Sequence, residues 1–385
     1  MMEFGKLFCA FFAVCAAALQ SYSMPAFTGF ERGMGVGGWL TNYKRPNVLP
    51  DDQKFAVTIG DLEHFESYIT ESDVAYIASL GFDHVRLGFD QIVVEEKPNV
   101  YRESAMRQMR DFVGWAKKYK LNVVLNLHKA VGNYCDVPDS AVLLDSPELR
   151  SRFVALWVEM ERRFADEPQV AFELLNEVLR VAPEKWNSLA AETIAAIRAK
   201  NPTRKIIVGS VSWNSAWRLK DLRLFDDPNV IYTFHFYEPY VFTHQRGVLQ
   251  AMPLAYNRVM EYPSDIKPYA EFAEFCGGKN PYGNARRMDR AFIEKMLAPA
   301  VEFAKKHPDK ILWCGEFGTI RHAPKQSREN WMRDVISILK ENGIPYCVWN
   351  YLSTPNDGNR FSLVDDDTRK ILSPELAKIL VGDVR

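Results

Sequence analysis

Val170-Ala-Phe-Glu-Leu-Leu-Asn-Glu177 is a run of strand length, largely apolar at its start and polar at its end. It lies between two amphipathic stretches of helical period, Pro147–Phe164 and Lys185–Lys200. A short buried run between helices is the unit of a parallel sheet with crossover helices. The unit recurs on both sides. Upstream lie Gly33–Leu40, His84–Phe89 and Asn122–His128; downstream lie Lys205–Ser210, Val230–Tyr237, Ile311–Gly318 and Ile344–Tyr351. The other helical patterns are Glu71–Leu80, Ser104–Tyr119, Arg287–Lys306 and Arg328–Asn342. Thr70 with Asp73 three residues on caps the first of them, and Gly81 stops it. Eight such units close most naturally into a (β/α)8 barrel of the α/β class. A doubly wound open sheet is the alternative, but no Gly-rich phosphate loop follows the first run.

The chain has 385 residues, and one barrel can hold nearly all of them, so residues 24–385 read as a single domain. Lys plus Arg is 48 and Asp plus Glu is 49, a balance that argues against a nucleic-acid partner. Residues 1–23 read as a secretory signal: Lys6, an apolar run Leu7–Leu19, then Gln20-Ser-Tyr-Ser23. Cleavage near Met24 to Phe27 would leave a secreted or periplasmic protein. Cys15 follows the bulky Val14, which speaks against lipid anchoring there. The apolar run falls short of the ~20 residues a membrane helix needs, and no other stretch is apolar enough to span. The mature chain keeps Cys135, Cys276, Cys314 and Cys347, whose spacing matches no zinc pattern. They read as buried or free thiols in what is expected to be a monomer.

The strands break the apolar rule at their C-terminal ends. Arg86, His128, Asn176, Glu177, His235, Tyr237, Glu316 and Trp349 all fall there. That end of a barrel carries the chemistry, and burying so many polar groups without a task is costly. Side chains two apart share a face. On that rule Cys314 lies one layer below Glu316, Cys347 one layer below Trp349, and Glu173 is a structural carboxylate beneath Glu177. Zinc or a binuclear centre would want His-x-His or clustered Asp and His; neither occurs at a strand end, so no metal or other cofactor is expected. Two carboxylates without such a cluster are the signature of glycoside hydrolysis. Strand ends four and seven face each other across the mouth, close enough for the retaining reaction. Trp213 and Trp217 follow strand five, and either could stack on a sugar face. The connection from Glu238 to about Asn284 is rich in Tyr and Phe and leaves strand six at the same rim, so it should border the cleft.

These residues resemble glycoside hydrolase family 5, the cellulase-type retaining β-glycanases. The matching segments are His84-Val-Arg-Leu-Gly-Phe-Asp90, Leu125-Asn-Leu-His-Lys129, Phe172-Glu-Leu-Leu-Asn-Glu177, His235-Phe-Tyr-Glu-Pro-Tyr-Val-Phe-Thr-His-Gln245, Trp313-Cys-Gly-Glu-Phe-Gly318 and Val348-Trp-Asn350. The resemblance implies that Glu177 is the acid/base and Glu316 the nucleophile. It implies that Asn176 bonds the sugar 2-hydroxyl, that Arg86 and Tyr237 hold the nucleophile ionised, that His128 and His235 contact substrate or the acid/base, and that Trp349 is the sugar platform. The pattern departs from the family at Val178, Gly88 and Lys129, which leaves the catalytic set intact. The expected substrate is a β-linked glucan polysaccharide or oligosaccharide. A β-mannanase, mixed-linkage glucanase or xyloglucanase would use the same set, and a non-catalytic sugar-binding barrel would not need both glutamates.

Overall fold

The computed structural model describes residues 27–41, 43, 58–137, 140–249, 251–354 and 357–382. The signal segment 1–23, Cys15 and the start of the mature chain lie outside the described residues. Eight strands form the barrel: β1 (Arg32–Leu40), β2 (His84–Asp90), β3 (Asn122–Lys129), β4 (Val170–Glu173), β5 (Ile206–Gly209), β6 (Val230–Phe236), β7 (Ile311–Phe317) and β8 (Tyr346–Val348). Each pairs with its sequence neighbour in parallel, and β8 returns to β1 to close the ring. The longer helices are α1 (Ile59–Ser67), α2 (Glu71–Ser79), α3 (Glu103–Lys118), α4 (Pro147–Phe164), α5 (Pro183–Arg198), α6 (Lys267–Phe275), α7 (Arg290–Lys306), α8 (Lys325–Glu341) and α9 (Pro374–Val381). Between β5 and β6 a 3-10 turn, Ala216–Asp221, stands in for the crossover helix.

Alternation sorts each strand between two cores. Residues such as Val85, Leu87, Val123, Leu125, Tyr232 and Phe234 face the helices in one large cluster. Val124, Ala171, Ile207, Ile231, Trp313 and Cys347 face inward as a separate layer, with Phe27 and Phe30 in the same cluster. Gly33 is a glycine because a Cβ there would sit 2.1 Å from the His84 ring. Above the apolar layer the inward positions turn polar, at Arg86, Glu173 and Asn126, all fully buried.

Cys314 does not lie inside the barrel below Glu316 as strict alternation predicts. Cys314 pairs with Phe234 and Glu316 with His235, so Gly315 is the extra residue of a bulge. The bulge leaves Cys314 in the outer cluster with Phe234, while Trp313 below it faces inward. A one-residue insertion of this kind re-aims the following side chain, and here it turns Glu316 to the mouth. Gly315 has no room for more: its Cβ would come within 2.6 Å of Thr233 Oγ1. Cys347 keeps the expected inward face.

Strand β4 stops at Glu173, four residues short of the predicted end, and β8 spans only Tyr346–Val348. The chain still tracks its neighbours, since Asn176 N–H donates to Leu127 at 2.9 Å and Trp349 N–H to Phe317 at 2.8 Å. The long connection after β6 is a small folded unit rather than a loop. It holds a turn at Tyr240–Thr243, a helix at Ala251–Tyr256, α6, and a ribbon pairing Ser264–Asp265 with Arg287–Met288. That ribbon delays α7 to Arg290. The aromatics form its core, with Tyr262 packed on Phe242, which meets Trp331 of α8. Helix α2 begins as predicted: Thr70 N–H donates to the Asp73 carboxylate at 2.8 Å.

Candidate active site

Arg86, fully buried on β2, organises the floor of the mouth. Its Nε and Nη2 donate to the two oxygens of Glu173 at 2.6 and 3.0 Å. Nη2 also donates to Asn176 Oδ1 at 2.6 Å. Nη1 donates to Glu316 Oε1 at 2.5 Å. Glu173 is thus the structural carboxylate expected from its depth, and one guanidinium ties together β2, β4 and β7. The second oxygen of Glu316 accepts from the Tyr237 hydroxyl at 2.9 Å. Burial alone would raise the Glu316 pKa; the electrostatic pull of His235 and Arg86, with the Tyr237 hydrogen bond, outweighs it and holds the group at about 2.

Glu177 stands in the opposite condition. Burial raises its pKa, the hydrogen bond from His235 works against the rise, and the charge of Glu316 adds to it. His235 Nδ1 lies 2.8 Å from Glu177 Oε1 and 3.6 Å from Glu316 Oε2, so it sits between the two carboxylates. One donor atom from each of Glu177, His235 and Glu316 falls within 4.8 Å of the others. These three are the one His/Cys/Asp/Glu group so placed among the described residues. As a cation site it is poor, because both oxygens of Glu316 already accept hydrogen bonds and one of the donors is itself a cation. Two carboxylates in adjacent but unlike environments separate into an acid and a base.

His128 is pushed down to about 3 by burial. Its Nδ1 is 3.0 Å from Asn126 Oδ1, its Nε2 is 3.5 Å from Asn176 Nδ2, and its ring stacks on Trp349 at 5.3 Å. The half-buried Trp349 lies over β1, where a Cβ on Gly35 or Gly37 would come within 2.8 or 2.5 Å of the indole. Trp213 is on the β5 side. Its backbone N–H donates to Val178, directly after Glu177, at 2.9 Å, and its indole N–H to Cys135 at 2.8 Å. Ser212, Trp213 and Asn214 all hold positive φ (60°, 58° and 56°). That is strained backbone for non-glycine residues, braced by Asn214 Oδ1 accepting from Ser210 N–H at 2.8 Å. Trp217 stands at the surface, 55% exposed, with Arg218 over its ring.

The structure thus brings Arg86, His128, Asn176, Glu177, His235, Tyr237, Glu316 and Trp349 to one mouth, with Trp213 beside Glu177, and leaves Trp217 outside. Three further features of the site come from the structure. Asn133 braces the Glu177 backbone, donating to its carbonyl at 2.9 Å and accepting from Leu179 N–H at 3.2 Å; nothing local in the sequence marks it. Gly33, Gly35 and Gly37 recur with period two on β1, a legible sign of bulky rings filling the inner face. His244 lies within the matching segment after β6, where no spacing or pattern sets it apart.

Comparison with known proteins agrees with this geometry. The cellulase family, glycosyl hydrolase family 5, matches residues 50–354. The chain is 37% identical over 360 residues to Endoglucanase C of Acetivibrio thermocellus, covering 91% of this chain and 98% of that one. It is 30% identical over 322 residues to Cellodextrinase A of Ruminococcus flavefaciens, covering 82% of this chain and 84% of the other. Among solved structures, a hyperthermophilic endo-β-1,4-glucanase in complex with substrate superposes with TM-score 0.67 at 25% identity, over 92% of this chain and 97% of that one.

Proposed function

The chain belongs to glycosyl hydrolase family 5 and is a glycoside hydrolase, and from that premise we propose that it cleaves β-1,4-linked glucan internally, with retention of configuration. The observation that carries the mechanism is the convergence of Glu177 and Glu316 within 4.8 Å at unlike proton affinities. Retaining enzymes hold their carboxyl groups ~5–5.5 Å apart, while inverting ones need ~6.5–9.5 Å to seat a water.

In this reading Glu316 is the nucleophile. Arg86 and Tyr237 keep it ionised and fix both oxygens, so the attacking lone pair is aimed before substrate arrives. A Glu316 oxygen bonds the anomeric carbon while the glycosidic C–O bond breaks, and the Glu177 proton goes to the leaving oxygen. Esterification removes the charge of Glu316, which had been raising the pKa of Glu177. Glu177 then holds its proton less strongly and serves as base. It takes a proton from water, the water oxygen bonds the anomeric carbon, and Glu316 leaves as carboxylate. Asn176, steadied by Arg86, bonds the sugar 2-hydroxyl. His235 holds Glu177, and Trp349 offers a flat face to the sugar at the cleaved bond. Trp213, next to Val178, stacks on a neighbouring unit. The segment 1–23 exports the chain to its polysaccharide, where it acts as a monomer. Among the described residues no helix is long and apolar enough to cross a membrane.

The test is the anomer first released from cellooligosaccharides, followed by proton NMR, together with a product profile on cellulose oligomers, mixed-linkage glucan, xyloglucan, mannan and laminarin. Initial β-anomer and mixed oligomers from cellulosic substrate are expected. Initial α-anomer would overturn the mechanism, and preference for mannan would overturn the substrate.

A further inference from the structure

Behind Tyr237 lies a buried histidine among aromatic rings. His244 follows the turn Tyr240–Thr243 and is 5% exposed. Its ring stacks on Tyr240 at 3.8 Å and meets Tyr237 edge-on at 5.1 Å and Phe361 at 4.9 Å. Its Nδ1 is 3.0 Å from Thr243 Oγ1, and Thr243 Oγ1 is 2.5 Å from the carbonyl oxygen of Tyr237. A carbonyl only accepts, so the single threonine proton goes to Tyr237. Thr243 must therefore accept from His244, which places the imidazole proton on Nδ1. Burial pushes the ring down to about 3, so it stays neutral.

His244 thus reaches Tyr237 by two routes. One runs Nδ1–H to Thr243 and on to the Tyr237 carbonyl; the other is the contact between the two rings. The Thr243 carbonyl in turn accepts from Ile320 N–H at 2.9 Å, just beyond β7, the strand that carries Glu316. We propose that His244 is a positioning residue, which through Thr243 and its ring contact keeps the Tyr237 hydroxyl on Glu316. The inference rests on the reading of Glu316 as nucleophile. The titratable and charged groups that face Glu316 are Arg86 from β2, His128 from β3, Glu177 after β4, His235 and Tyr237 from the β6 side, Cys314 from β7, Cys347 from β8, and His244 itself. His244→Phe also removes the direct interaction of the imidazole with Glu316, so it is Thr243→Val, which keeps that ring and alters none of the other groups, whose moved acid limb reports the Tyr237 bond.

The experiment compares the full-length enzyme with His244→Phe, Thr243→Val, the double variant and His244→Asn. It reads kcat, KM, the pH profile of kcat/KM and Tm. His244→Phe keeps the ring and deletes the N–H; Thr243→Val cuts the next link. Each is expected to lower kcat roughly five- to tenfold with KM within about twofold, and to move the acid limb upward. The double variant should lose no more than either single, because two links of one chain do not add. His244→Asn, whose amide N–H replaces Nδ1–H, should recover part of the loss. Wild-type kcat and acid limb in both single variants would overturn the proposal. So would losses that simply add, or losses that follow Tm alone. Where one single variant does not fold, the other single variant and His244→Asn decide between these outcomes. Glu316→Ala separates the two readings. If it remains active, the nucleophile assignment fails; if it is dead while His244→Phe behaves as wild type, only this inference fails.

Discussion

Tyr237→Phe deletes one oxygen from a buried site and leaves the ring in place. Glu316 Oε2 then loses its donor at 2.9 Å and retains only His235 Nδ1 at 3.6 Å. A hydrogen bond to a charged group contributes roughly 1.5–3 kcal/mol, which at about 1.4 kcal/mol per unit is one to two pKa units. Glu316 starts at about 2, below its ordinary 4.5, so the variant group should titrate between about 3 and 4. The sign follows from the direction of the shift. A depressed carboxylate stabilises the fold fully above its unfolded pKa, and the contribution is lost as pH falls through its folded value. In wild type that loss runs from about 4.5 down to about 2. In the variant it is smaller and complete at higher pH. The acid limb of kcat/KM for an aryl β-cellobioside, measured with Tm at each pH, should therefore rise by one to two units. The basic limb, set by Glu177, should stay where it is, because the Tyr237 hydroxyl donates to Glu316, whereas Glu177 is bonded by His235. kcat should fall roughly ten- to a hundredfold. An acid limb that does not move, or a basic limb that moves in its place, would refute the assignment of the two carboxylates.

Glu177→Ala should retain the first step with dinitrophenyl glycosides, whose leaving group needs little protonation. Added azide should then yield a β-glycosyl azide by NMR, and an α-azide would defeat the mechanism. Arg86→Met should destabilise the fold by about 3–5 kcal/mol in urea titration, because Glu173 and Glu316 become buried charges without a cation; an unchanged midpoint would show that the network does not hold the mouth together. Shortening the insertion between residues 246 and 283 should alter preference among oligosaccharides more than Tm, and unchanged kinetics on every substrate would count against its place at the cleft. Intact mass of exported protein should show a start near Met24 to Phe27, whereas a full-length chain retained in the cytoplasm would remove the signal assignment.

The eight strands were legible because each is a buried run between amphipathic helices, and burial on both faces leaves a strong hydrophobic signal. The polar residues at their ends were legible for the complementary reason: they break that signal where packing alone gives no cause. The bulge at Gly315 was not. A bulge is defined by what two strands do to each other, and Cys314-Gly-Glu316 read alone gives only alternation, which put Cys314 on the wrong face. The insertion after β6 was visible as an aromatic-rich segment but not as a fold, because Tyr262 and Phe242 find each other, and Phe242 finds Trp331, only across long separations. Asn133 and His244 are silent in the sequence on similar grounds. Their partners are a backbone carbonyl and a neighbouring hydroxyl, and neither leaves a mark in sequence.

The polar layer also accounts for why the pKa values of the two glutamates shift in opposite directions. Arg86 directs two of its three nitrogens to Glu173 and has a single N–H bond to Glu316. Its charge is thus shared between two carboxylates, with both partners almost wholly buried. On the third carboxylate, Glu177, Arg86 acts without a bond, and among the described residues no other guanidinium is paired with it. Glu177 is offered a histidine instead, and lies close to an anion that cannot be screened by solvent. Burial and that anion both raise its pKa, and the second contribution goes when substrate removes the charge on Glu316. Glu173 is therefore more than scaffolding: it takes two of the N–H bonds of Arg86, whose charge also lowers the pKa of Glu316 and works against the rise at Glu177.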